Sequence, residues 1–152
     1  MATLSLGVLV VGYSQSESNG LSQQTDTGKV ASILEDKYHV MGIFYALREE
    51  KIAGFLAESM AQAFEDKLQG RQVGRNPMFD AQQQIEAQFR AFLDADEMNK
   101  LSLALTGIQI SAAAAAGISH RKKHPYAQKN KARPSFIDTG LYRASFRCIF
   151  KP

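Results

Sequence analysis

From His124 to Phe150 the chain reads HPYAQKNKARPSFIDTGLYRASFRCIF. A basic, Pro-punctuated loop leads through an Asp138-Thr139-Gly140 turn into an aromatic segment. From Leu141 onward the residues separate by parity. Tyr142, Ala144, Phe146, Cys148 and Phe150 fall on one side, and Leu141, Arg143, Ser145, Arg147 and Ile149 on the other. Apolar groups on one parity and two arginines on the other predict a half-buried strand. Gly140 takes positive φ without steric cost, which suits the corner where loop becomes strand.

Working outward, a chain of 152 residues is long enough to bury a core and is read as a single domain. Its 45% hydrophobic and 22% charged residues are ordinary globular values, which argues against disorder throughout. The lone cysteine, Cys148, has no intramolecular disulfide partner, and no Cys/His spacing suggests zinc. The apolar run Leu4–Val11 is too short to span a bilayer and lacks a basic leader, so neither a membrane span nor a signal peptide is expected.

The net charge of +3 hides an asymmetry. Residues 1–70 hold five basic and nine acidic groups, a net of −4; residues 71–152 hold thirteen and six, a net of +7. Such a chain can pair with copies of itself as readily as with nucleic acid.

Leu4–Tyr13 reads as a strand, with Leu4, Leu6, Val8 and Val10 on one parity and Leu9 and Val11 on the other, covered on both faces. The polar stretch Ser14–Lys29 reads as a long loop or arm, of a length that tends to be functional. Ile33–Gln69 reads as one central helix. Its apolar residues Val40, Phe44 and Leu47, then Ile52, Phe55, Leu56, Met60, Phe64 and Leu68, recur in steps of three and four and are expected to trace one stripe on the helix surface. Some thirty-five residues would run to about 50 Å, so a break is expected near Arg48–Lys51. Gly42 and Gly54 mark a bend or a close backbone approach, and Gly70 the C-terminal cap.

After an Arg71–Asp80 loop, a second helix from Asp80 carries Ile85, Phe89, Phe92 and Leu93 on one face. A weaker apolar stretch from Leu101 to Ile110 comes next, and Ser111–Gly117 reads as a short packed helix. His120–Arg133 is a basic, non-helical loop with Arg121, Lys122, Lys123, Lys129, Lys131 and Arg133 and no acid. The class is therefore α+β: a small sheet of the terminal strands packed against a long central helix and a second helix, with long loops.

The search for chemistry yields little. The two Asp-Thr-Gly triplets, at Asp26 and Asp138, raise the aspartic-protease arrangement of two carboxylates sharing a proton. Asp26 lacks a hydrophobic flank, however, and only Leu141–Pro152 come after the second triplet, so the structural-turn reading is preferred. A small hydrolase using Asp138 stays as a distant alternative. Gly28-Lys29 is no phosphate loop, because Gln23 stands where the first Gly belongs and Val30 where the Ser or Thr belongs. His120 and His124 lack a third ligand, and His39 is read as a half-exposed helix residue. No catalytic residue, metal, cofactor or small-molecule substrate is expected. The basic loop stays open between a nucleic-acid contact, a solvated loop and an assembly contact onto acids such as Glu49, Glu50, Glu58, Glu65 and Asp66. With Tyr126 its one aromatic, it carries no nucleic-acid motif.

The phrase RPSFIDTGLYRASF resembles the end of small virion proteins of tailed bacteriophages, of the head–tail connector and tail-completion type. The resemblance rests on Asp138, Thr139, Gly140, Leu141, Ser145 and Phe146, with Arg133-Pro134 leading in. It implies an α+β fold that acts as a ring of identical copies and has no catalytic residues. It also implies other neck or tail proteins as partners, DNA near the lumen, and a place in the virion after assembly in the host cytoplasm. Members of that group usually continue into further strands after the turn, so neck, tail-terminator and baseplate-proximal positions all stay open. The assembly contacts expected on this reading are Ser16, Asn19 and Gln23 in the arm, the basic residues of the 120–133 loop, and Arg143 and Arg147. The rival is a basic nucleic-acid-binding module acting through that loop.

Overall fold

The computed structural model describes residues 3–12, 26–98, 101, 104 and 140–151. Two antiparallel strands, β1 (Thr3–Val8) and β2 (Phe146–Lys151), join the two ends of the chain in a two-stranded sheet running from Thr3↔Lys151 to Val8↔Phe146. Between them come α1 (Thr27–Tyr38), α2 (Val40–Leu68), α3 (Phe79–Asp94) and the short α4 (Leu141–Ser145). The expected α+β class, a terminal-strand sheet under helices, is what forms.

Parity decides what the sheet buries. Leu4, Leu6 and Val8 on β1 lie opposite Phe150, Cys148 and Phe146 on β2; Phe150 is half-buried, and the other five rest in or against the core. Across it lie α3 and the first half of α2. The centre is aromatic: Phe89 stacks on Phe146 at 3.8 Å between centroids, and Phe44 meets Phe89 edge-on at 5.1 Å. Phe92 and Tyr142 complete the cluster. Ile85, Phe89, Phe92 and Leu93, expected on one face of the second helix, are all fully buried.

Five expectations are corrected. β1 stops at Val8; Leu9, Val10 and Val11 are exposed, so this segment is not covered on both faces. Instead of extending the sheet, Leu9–Val11 anchors the start of α1. Thr27, fully buried, donates its hydroxyl to the Leu9 carbonyl and accepts the Val11 N–H at 2.8 Å, while its own N–H donates to the Val11 carbonyl.

The polar loop, second, ends earlier than Lys29. Asp26 caps α1, its carboxylate accepting the Lys29 N–H at 2.7 Å. Gly28 lets the chains approach, since a Cβ there would lie 3.2 Å from the Val10 side chain. The first Asp-Thr-Gly triplet is thus a helix start stitched to the end of β1.

Third, the central helix breaks at His39, not near Arg48–Lys51. His39 adopts the left-handed conformation (φ 50°, ψ 44°), is exposed, and separates α1 from α2. Its side chain caps nothing; Glu35 does that work from the preceding helix. The Glu35 carboxylate accepts the Met41 N–H at 2.7 Å and the Gly42 N–H at 3.1 Å, satisfying two orphan donors of α2. A Cβ on Gly42 would crowd that carboxylate at 3.3 Å, so Gly42 marks a close approach. Arg48, by contrast, lies in regular helix and forks onto Glu97 at 2.7 and 2.9 Å.

Fourth, the apolar series of α2 is not one buried stripe. Val40, Phe44 and Ile52 are buried, Phe55 and Leu56 half-buried, but Leu47, Met60, Phe64 and Leu68 are exposed. Each step of four overshoots a helical turn by about 40°. The run Ile52, Leu56, Met60, Phe64, Leu68 therefore winds from the core to the opposite side. α2 ends as expected near Gly70, whose φ of 72° places it just past the cap; Arg71 N–H donates to Asp66 and Gly70 N–H to Lys67, closing a Schellman motif.

Fifth, the terminal strand begins at Phe146. Leu141–Ser145 is a helical turn opened by Gly140 (φ 75°), with the Ala144 N–H donating to the Gly140 carbonyl at 2.9 Å. Tyr142 is buried from that turn, not from a strand face.

The hinge can be tested by substitution. A non-glycine residue in the left-handed region carries roughly 1 kcal/mol of steric cost, and the exposed His39 side chain makes no cap. His39→Gly is expected to raise unfolding free energy by up to about 1 kcal/mol in a urea titration, whereas β-branched His39→Val lowers it.

Candidate functional site: the sheet edges and exposed faces

The sheet has two outer edges, and they differ. On β2, residues whose backbone groups point away from β1 include Phe146 and Cys148. The Cys148 N–H donates to Glu86 Oε1 at 3.2 Å, and the Cys148 carbonyl accepts from Gln82 Nε2 at 3.0 Å. The Phe146 carbonyl accepts from Arg147 Nη1 at 2.6 Å. Side chains of α3 and of the strand itself therefore occupy the places a further strand would need.

On β1 the groups pointing outward belong to Leu4, Leu6 and Val8, since the odd-numbered residues face β2, as the Leu9 N–H to Ser145 carbonyl bond fixes. None of the three has an outward hydrogen-bond partner among the described residues. The strand reads TLSLGV, with no charge and no proline to blunt pairing. Among the described residues, one edge is closed and the other open.

Glu86 is what closes the first. It is only 5% exposed, and beyond the Cys148 N–H its carboxylate takes Arg90 at 2.9 Å, with Arg147 at 3.7 Å. A buried carboxylate satisfied in this way ties α3 to β2. It also acts on the adjoining thiol. Burial first, and the Glu86 charge second, push Cys148 from 9.0 up to about 11.

Of the residues expected from sequence, Gly140 and Leu141 form the start of α4, and Asp138 and Thr139 lie outside the described residues. Arg143 forks onto Asp94 at the end of α3, with Nε to Oδ1 at 2.7 Å, and Arg147 lies along the Glu86 group. Both arginines remain about one-third exposed while serving contacts within the chain. Ser16, Asn19, Gln23, Arg121, Lys122, Lys123, Lys129, Lys131 and Arg133 lie outside the described residues, as do Ser111–Gly117, His120 and His124.

Sequence reasoning misses Glu86 because an acid on a helix is usually read as solvated. The signal is nonetheless present: Glu86 precedes Phe89 by three on the apolar face, with Arg90 four residues on.

Two other surfaces stand out. An open groove of about 470 Å³ runs between α2, the 73–77 loop and the start of α3. Two polar groups along it are engaged within the chain: Ser59 Oγ accepts the Ala81 N–H, and Asp66 pairs with Arg71. The second is the exposed apolar side of α2 around Met60, Phe64 and Leu68. Among the described residues, no group of three His, Cys, Asp or Glu could hold a metal ion, and no helix is long and apolar enough to cross a membrane. Compared with protein-family models, curated proteins and solved structures, the chain matches none.

Two predictions test the closed edge. Glu86→Ala leaves the Cys148 N–H without its acceptor and is expected to cost about 2–3 kcal/mol by urea unfolding, with Glu86→Gln costing less because an acceptor oxygen remains. For Cys148, the folded thiol ionises above the unfolded one, so raising pH deprotonates the unfolded chain first. Stability should accordingly fall between pH 9 and 11 and level off above it; Cys148→Ala should lack that component when the two pH profiles are subtracted.

Proposed function

We propose that this chain is a structural component of a tailed-phage neck or tail, of the connector, tail-completion or tail-terminator type, working as a ring of identical copies. The observation that carries the reading is the inequality of the sheet edges. An open, uncharged strand edge is a liability in a chain that works alone and a contact in one that works assembled. With β2 closed by Gln82, Glu86 and Arg147, two copies cannot simply continue the sheet from β1 to β2. On this reading the β1 edge meets a different part of its neighbour, in the head-to-tail relation that a closed ring requires.

The sequence supports the same reading. The 138–146 phrase resembles the phage group, and the acidic and basic halves suit contact between unlike surfaces of two copies. The Ser14–Lys29 arm, where it precedes the cap of α1 at Asp26, and the basic 120–133 loop are the expected contacts beyond β1. The mechanism is geometric, with no bond made or broken: each copy supplies what the next one lacks.

Deleting Ser16–Gln24 tests this. The variant should fold, with unchanged far-ultraviolet circular dichroism, and yet form no ring and fail to build particles. Normal particle yield from the deletion would sink the reading. DNA affinity that falls steeply with salt, in a chain that stays monomeric, would favour the nucleic-acid rival instead.

A further inference from the structure

The far half of α2 presents an apolar row that nothing in the described structure covers. Ala53, Ala57, Met60 and Phe64 are all exposed, Met60 at 58% and Phe64 at 64%, and Leu68 extends the row at 72%. Their spacing alternates four, three, four, the pattern that keeps a row straight along a helix and lets two helices mesh. This differs from the winding series that begins at Ile52. The acids Glu58 and Glu65 sit about 110–130° round the helix from the row.

We infer that this row docks against the same row of a second copy, with the two α2 helices antiparallel and a two-fold axis crossing them near Glu58. Two independent features of the sequence share that axis. The first is shape. About this point Phe64 lies opposite Ala53 of the second copy and Met60 opposite its Ala57, so each large side chain meets a small one, and the pairing repeats by symmetry.

The second is charge. Glu49 and Lys67 are eighteen residues apart, about five whole helical turns, so they lie on the same margin of the row. The midpoint between them is residue 58. In the antiparallel arrangement each Glu49 therefore faces Lys67 of the second copy, twice over. A parallel two-fold arrangement would set Phe64 level with Phe64 and carry the margins that bear Glu49 and Lys67 to opposite sides of the contact, so the two charges would never meet. Lys67 has no ion pair among the described residues, and Glu49 makes only a long 3.5 Å contact with Tyr45, so both can engage a neighbour.

The occupant is thus a second copy of this chain, and the contact is isologous. It goes beyond the ring reading and does not rest on it: a ring uses unlike surfaces, whereas this face pairs copies two by two.

The test uses sedimentation of the full chain over a range of concentrations, with oxidative cross-linking. The wild type should associate reversibly. Phe64→Glu should abolish that association while leaving thermal unfolding unchanged, because Phe64 is exposed within the single chain. Glu49→Lys should weaken association about tenfold, and the swap with Lys67→Glu should restore it. Near the axis, Ala57→Cys should cross-link to itself. Leu68→Cys should not, its two copies lying about 30 Å apart along the helices; the buried native thiol leaves the readout clean.

A monomer at every concentration would overturn the proposal, as would cross-linking at Leu68→Cys equal to that at Ala57→Cys. Association that survives Phe64→Glu but is lost on deleting Ser16–Gln24 would overturn this inference and leave the ring reading standing. Association lost with Phe64→Glu but kept in the deletion would do the reverse.

Discussion

A buried carboxylate at the margin of the core holds the two halves of this fold in register. Glu86 reaches from α3 to the backbone of β2, where it takes the Cys148 N–H, and Gln82 one turn earlier takes the carbonyl of the same residue. A helix laid on a sheet by apolar contact alone can slide. Two directional bonds to one residue fix both its height along the strand and its distance. The Phe89–Phe146 stack depends on them, because those rings can lie face to face only at that height. Removing the carboxylate would expose the asymmetry of hydrogen bonding: water cannot easily replace a partner in a space already filled by side chains.

The same bonds give the sheet its polarity. A two-stranded sheet has two free edges by construction and is marginal alone. Here α3 stabilises the sheet and closes one edge in a single act. What the chain can offer a neighbour is therefore set by where the core lies.

Much of this is legible in the residues. Alternation marks Leu4, Leu6, Val8 and Phe146, Cys148, Phe150 as inward-facing, and the spacing of Ile85, Phe89, Phe92 and Leu93 marks the buried side of α3. These are places where one period persists and one face is covered. The misses share a cause, which is that distant groups decide a local matter. Nothing near His39 reads as a helix stop: there is no proline, and the nearest glycine lies three residues on. The break stands because Glu35 bonds the N–H groups of the next helix. Leu141–Ser145 alternates like a strand but is drawn into a turn beside α3, with Arg143 on Asp94 and Tyr142 against Phe89. In α2 the apolar composition is plain and the geometry is not, since a series of fours drifts off any single face. As for the candidate site, the open edge is legible as an apolar strand, but which edge stays open depends on Glu86, an acid that composition assigns to solvent.

Joining residue 3 to residue 151 has a kinetic side as well. Closing so long a loop carries an entropic cost that local helix formation does not, and chains whose contacts are remote in sequence fold slowly for that reason. The α2–α3 pair, linked by about ten residues, can find its partner early; β1 must wait for a strand made nearly a whole chain later. Until the two ends meet, Phe44, Phe89 and Phe92 lack their roof, and the apolar ribbon Thr3–Val8 is bare on both sides. Folding speed and resistance to clumping are therefore governed by the same remote handshake.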